Sequence, residues 1–171
     1  RQPCCADLRS AFASRLPSPT CSRVKATYPL GRAVTQSTAG TVAFGRALAS
    51  SLRGGDIVLL CGAMGAGKTY LAKGIVAGLG GGDEDEVASP AYDIVHQFSG
   101  RETIYHYDLF RLQQLSGDDV EWLTESLSAP GVHVVEWGDR LDGILRRPHL
   151  KITVTPGECE DERVIVTEAG S

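Results

Sequence analysis

Residues 62–69 read Gly62-Ala63-Met64-Gly65-Ala66-Gly67-Lys68-Thr69, and these residue types at this spacing suit one chemistry, the cradling of phosphate. The run satisfies G-x-x-x-x-G-K-[ST]. Its glycines let the backbone turn so that successive N–H groups point at anionic oxygens. In this pattern Lys68 reaches the β- and γ-phosphates of a nucleotide, and the Thr69 hydroxyl sits on Mg²⁺. Average residue frequencies produce such a run by chance in about one in 100 chains of this size, so the flanking elements matter. Asp56 to Cys61 is a short apolar run of the kind a buried parallel strand requires. Thr69 to Leu79 carries Leu71, Ile75, Val76 and Leu79 at helical spacing. A strand, a glycine loop and a helix N-terminus in that order form an anion site.

A phosphate loop that works with Mg²⁺ needs an acidic group across the site. Val132-His133-Val134-Val135-Glu136 is a second apolar strand ending in a carboxylate, followed at once by Trp137. Asp108, in Tyr105-His106-Tyr107-Asp108-Leu109-Phe110-Arg111, lies just past another strand and is the alternative acid. Either one also reads as an ordinary strand-terminal or turn-forming carboxylate. His106 reads equally as a water-orienting group or a packed histidine, while His133 and His149 read as structural.

The elements that must position these groups follow from periodicity and punctuation. Thr38 to Leu52 is amphipathic, with Thr35, Ser37 or Thr38 as its cap and Gly54-Gly55 as its stop. Residues 80–86, Gly-Gly-Gly-Asp-Glu-Asp-Glu, form a loop with a solvated acidic tip. Ala91 to Phe98 and Thr103 to Tyr107 read as paired strands, Asp118 to Leu127 as a short helix, and Leu150 to Thr155 with Arg163 to Thr167 as two closing strands. These elements predict an α/β protein, a P-loop NTPase-like three-layer sandwich with a mixed sheet flanked by helices.

Charge is divided unevenly along the 171 residues. Arg1 to Gly55 holds eight basic residues and one acid, whereas Asp56 onward holds nine basic and twenty acidic residues, a net of −11. A domain this acidic lacks the electrostatic footprint for gripping RNA itself. Residues 1–28, rich in Arg, Ser and Ala and almost free of acids, have the composition of a mitochondrial or plastid transit peptide; a linker or other disordered extension is the plainer reading. The organelle is then the expected location, and the cytoplasm otherwise. Residues 29–171 form one domain. Five scattered cysteines without a C-x-x-C pair point to reduced thiols and no structural zinc, and no apolar run is long enough to span a bilayer.

GAMGAGKT, Ser89-Pro90-Ala91-Tyr92, YHYDLFRL at 105–112 and VVEWGDRL at 134–141 occur in this order and at these separations. Together they resemble the TsaE (YjeE) family, P-loop ATPases of tRNA threonylcarbamoyladenosine synthesis. The resemblance runs from about Thr35 to Val166. It implies ATP and Mg²⁺ as cofactors, with the loop residues 62–69 and Tyr70 around the phosphates, Trp137 near the nucleotide, Thr69, Asp108 and Glu136 on the metal side, and Lys68, Asp108 and Glu136 in hydrolysis. It implies a switch loop at Ser89 to Tyr92. It also implies TsaD-type and TsaB-type partners, through which tRNA is met indirectly.

Two positions depart from the family pattern. The switch threonine is Ala91, which removes a hydroxyl, and the residue after Thr69 is Tyr70 where a second threonine is common. Phe110 replaces a frequent tyrosine, a smaller change. Arg111 and Arg140 are candidate arginine fingers in cis, with a partner as the other source. A small-molecule kinase and a non-hydrolysing nucleotide sensor remain as alternatives. The absence of basic residues from Gly117 to Pro130 counts against a kinase lid there, and Ala91 keeps the sensor open.

Overall fold

The computed structural model describes residues 30–85, 87, 90 and 93–171. The expected transit peptide therefore lies outside the described residues, as do Ser89, Ala91 and Tyr92 of the expected switch loop. Seven strands, β1 (Gly31–Thr35), β2 (Ile57–Cys61), β3 (Val95–Ser99), β4 (Thr103–Asp108), β5 (Val132–Glu136), β6 (His149–Pro156) and β7 (Arg163–Gly170), join in one sheet. Its order is β1-β7-β6-β2-β5-β4-β3. The centre is parallel, with β2 flanked by β5 and β6 and with β4 beside β5. Antiparallel pairs close both edges, β3 on β4 at one side and β6, β7 and β1 at the other.

Every residue of β2 and β5 is buried, as expected of central parallel strands covered on both faces. Alternation divides β2 between two cores. Val58 and Leu60 face helices α1 (Thr38–Ala49) and α2 (Lys68–Gly78), meeting Leu48, Leu71, Ile75 and Val76. Ile57, Leu59 and Cys61 face the other layer, with Leu123 and Leu127 around α3 (Gly117–Ser126) and Leu141 of a 3₁₀ turn (Gly138–Leu141). The result is the expected three-layer α/β sandwich with a mixed sheet. Among the described residues no helix is long and apolar enough to cross a membrane.

Several boundaries differ from the sequence expectation for local reasons. Ser37 is the cap of α1, its hydroxyl accepting the Gly40 amide. The helix stops at Ala49 because Ser50 and Ser51 turn their hydroxyls onto the carbonyls of Ala47 and Leu48. Leu52 is nonetheless fully buried. Helix α3 begins with a capping box between Ser116 and Asp119. Of the strand expected over Ala91 to Phe98, Ala91 and Tyr92 lie outside the described residues; β3 begins at Val95, after Asp93 and Ile94 both donate their amides to the Pro90 carbonyl. Strand β1 was not expected; among the described residues it pairs only with β7, and it shows little alternation.

Candidate phosphate-binding site

The glycine loop lies where the central strand β2 ends and α2 begins. Two of its glycines are required by geometry. Gly62 has φ +137°, and a Cβ there would overlap the Val154 carbonyl oxygen of β6. Gly67, the residue before α2, has φ +106°. Both conformations disfavour L side chains. Ala66 turns its methyl into the core, and its amide donates to the Ala63 carbonyl, so this part of the loop is held by its own backbone. The first amides of α2 have no intrahelical acceptor and lie at the positive end of the helix dipole.

Lys68 is buried at the helix start. Its Nζ donates to the carbonyls of Gly62 and Ala63, each at 2.8 Å, and stands 3.8 Å from the centroid of the Trp137 ring. Burial lowers the pKa of this ammonium, while the carboxylates of Glu136, Asp139 and Asp108 pull it back up. Trp137 reaches this place through a left-handed backbone, φ 59° and ψ 40°, between β5 and the 3₁₀ turn. Phe110 tilts against it at 5.3 Å, and the Arg140 guanidinium lies over it at 5.3 Å while donating to the Leu109 carbonyl.

The two candidate acids meet by strand register. Asp108 ends β4 and Glu136 ends β5, and the two are direct partners across that parallel pair. Both are buried. Glu136 Oε2 accepts the Thr69 hydroxyl at 2.8 Å, and Oε1 is 3.0 Å from His106 Nε2. His106 is fully buried and its Nδ1 has no partner. An unpaired acceptor costs less here than an unpaired N–H, which selects the tautomer with Nε2–H donating to Glu136. Asp108 is set by two backbone contacts: its Oδ1 accepts the Phe110 amide at 2.8 Å, and its own amide donates to Ile94 at 2.9 Å. Ile94 carries φ +63°, a strained value for a β-branched residue, beside the site it helps to align.

A cleft of about 230 Å³ joins these groups, with Lys68, Thr69, Asp108, Glu136 and Trp137 inside and Met64, Tyr70 and Phe110 exposed at its rim. Thus the structure gathers Lys68, Thr69, Tyr70, Asp108, Glu136 and Trp137 from three separate segments. Arg140 is near the cleft but engaged with Leu109 and Trp137. His106, left open between two roles by the sequence, touches Glu136 directly. His133 is structural: its Nε2–H donates to the Ala129 carbonyl at 3.0 Å, and its Nδ1 faces the Tyr107 hydroxyl at 3.2 Å. Cys61 packs in the core, where burial raises its thiol pKa to about 11. Sequence reasoning missed Arg163, whose side chain packs beside Gly67; nothing in its local sequence marks it.

A glycine loop between the central strand and a helix, faced by two strand-terminal carboxylates, defines a P-loop NTPase-like α/β protein. The family model described as threonylcarbamoyl adenosine biosynthesis protein TsaE matches residues 35–165. The chain belongs to the TsaE family. Similar proteins, each described as tRNA threonylcarbamoyladenosine biosynthesis protein TsaE, occur in Treponema pallidum (35% identical, over 72% of this chain and 89% of that one) and Streptomyces coelicolor (40% identical, over 74% and 87%). The crystal structure of Bacillus subtilis YdiB superposes with a TM-score of 0.64 at 28% identity, over 81% of this chain and 85% of that one.

Proposed function

We propose that this protein binds ATP with Mg²⁺ and hydrolyses it in support of tRNA threonylcarbamoyladenosine biosynthesis, the process that membership of the TsaE family supports. The observation that carries this reading is the Glu136 carboxylate, held between the Thr69 hydroxyl and His106 and paired in register with Asp108 at the mouth of the glycine loop. The donors are hydroxyl and carboxylate oxygens, the set that suits a hard divalent cation. Thr69, Glu136 and Asp108 are the residues that would hold it. Bound there, Mg²⁺ would supply neutralisation of the phosphate charge.

The chain's own residues do the rest. Lys68 exchanges its two loop carbonyls for phosphate oxygens, and the amides opening α2 hold the phosphate chain. The Thr69 hydroxyl holds Glu136 Oε2 at the edge of the cleft. His106 keeps Glu136 from rotating, so the other carboxylate oxygen stays aimed into the cleft, where it can orient the attacking water. The net charge of −11 from Asp56 onward supports leaving tRNA contact to partners, for which TsaD-type and TsaB-type proteins are our proposal.

Phosphate release from Mg-ATP, with and without TsaB- and TsaD-type proteins, tests this. Release should rise when the partners are added, and Glu136→Ala should reduce it by at least about 100-fold. Activity unchanged by that substitution would remove Glu136 from the mechanism. Phosphate passing to an added metabolite in place of water would make the protein a kinase.

A further inference from the structure

The parallel part of the sheet has two ends, and the phosphate cleft uses one of them. The glycine loop, Asp108 and Glu136 lie where β2, β4 and β5 finish. At the other end, where the same strands begin, a second cavity of about 350 Å³ opens among the turns that lead into them. At about 3.3 Å per residue, the length of β2 separates it from the loop by on the order of 15 Å. Its volume falls at the small end of the roughly 300–1,000 Å³ of pockets that enclose a whole small molecule.

Two groups of opposite charge line this cavity, Glu102 just before β4 and Arg147 just before β6. Both are placed by the fold. Arg147 Nη1 donates to the Leu127 carbonyl at 2.9 Å and to Ser128 Oγ at 3.1 Å, which fixes the guanidinium at the end of α3. Arg101, the neighbour of Glu102, donates from Nη2 to the carbonyls of Ala49 and Leu52, which ties this turn to the end of α1. The floor is backbone, closed by the Gly55 amide donating to the Gly131 carbonyl at 2.6 Å. One wall is held by the buried His133, which bonds the Ala129 carbonyl and stacks on Tyr105 at 5.0 Å. Glu102 is partly buried, and its Oε2 lies 2.9 Å from the point a Gly54 Cβ would occupy, so the carboxylate rests over bare backbone. Among the described residues its side chain has no hydrogen-bond or ion-pair partner. A carboxylate partly withdrawn from water and left unpaired carries a free-energy cost that a cation in the cavity would offset.

We propose that this cavity is a second ligand site, for a small zwitterion of the free amino-acid type, with its ammonium on Glu102 and its carboxylate toward Arg147. An anion alone would meet the Glu102 carboxylate with like charge, and a cation alone would do the same to Arg147. A ligand carrying both charges offers each wall its opposite. The site stands apart from the phosphate cleft and does not rest on the ATP-binding reading.

Amide NMR spectra of the full chain titrated with L-alanine and with β-alanine, which differ in the spacing of their charges, test the assignment. Acetate and methylammonium are the single-charge controls. At least one of the zwitterions should shift the amides of Gly54, Gly55 and Gly131 and bind at least about tenfold tighter than either control. Glu102→Gln keeps the shape of the side chain and removes its charge. It should weaken that zwitterion about tenfold, while the rest of its spectrum overlays that of the wild type. No shift at these amides with either zwitterion at tens of millimolar would overturn the site, as would shifts centred on Gly65 and Gly67. Controls that bind as tightly as the zwitterions, or wild-type affinity in Glu102→Gln, would overturn the charge assignment and with it the proposal.

Discussion

The Lys68 ammonium sits 3.8 Å from the centroid of the Trp137 ring, and the same nitrogen is bonded to two carbonyls of its own loop. The two carbonyls and the indole face hold the ammonium in one place beside the cleft. A cation over an indole face contributes on the order of 0.5–2 kcal/mol, comparable to one hydrogen bond, and phosphate can displace it.

That pairing predicts an optical signal. Phosphate in the loop draws Lys68 off the ring and changes the environment of Trp137, one of two tryptophans in the chain. Mg-ATP should therefore shift the emission of a Trp122→Phe variant, which retains Trp137 alone. No change on saturation with a nucleotide shown to bind would mean that Lys68 stays where it is.

Gly62→Ala tests the backbone of the loop. The added methyl meets the Val154 carbonyl at a residue with φ +137°, combining left-handed strain with overlap. We expect a loss of about 2–4 kcal/mol of stability in urea unfolding. A loss below about 0.5 kcal/mol would show that β6 yields easily at this point.

His106→Ala removes the donor from a buried Glu136 oxygen. An unsatisfied buried acceptor costs about 1–3 kcal/mol, and the carboxylate gains freedom to swing. Phosphate release should fall by at least about tenfold while nucleotide affinity changes little, because the loop and Lys68 are untouched. Affinity falling in step with release would mark His106 as a packing residue only.

Acid should destabilise the fold through His133. Burial lowers its pKa to about 4 from an ordinary 6.5, with Arg147 adding to the effect and the Ala129 hydrogen bond opposing it. The unfolded chain binds the proton more readily, so the neutral ring's contribution is complete above pH 6.5 and is lost as pH falls toward 4. By linkage the loss reaches about 3 kcal/mol near pH 4. Replacing His133 with Asn, which does not titrate, should flatten that part of the stability profile. Parallel wild-type and variant curves would assign the acid loss to other groups.

How much of this was legible in the chain depended on distance along it. The glycine loop, β2 and α2 could be read because their determinants are contiguous: a strand-length apolar run, glycines at fixed spacing, then helical periodicity. The acids at Asp108 and Glu136 could be read as strand ends, and the TsaE resemblance joined them to the loop. Strand β1 could not be read, since Gly31 to Thr35 forms a strand only because β7 offers it an edge.

What only the tertiary structure decided is which partners meet. Thr69 and Glu136 are 67 positions apart, and their hydrogen bond exists because β2 and β5 pair in one register. His106 reaches Glu136 through the next register, β4 on β5. Arg163 lies against Gly67 because β7 returns antiparallel beside β6 and starts at the loop's level. Residue types and local periodicity are encoded within a few positions and can be read there. A side chain's neighbours across a sheet are set by strand order and register, which are collective outcomes of burying both faces at once.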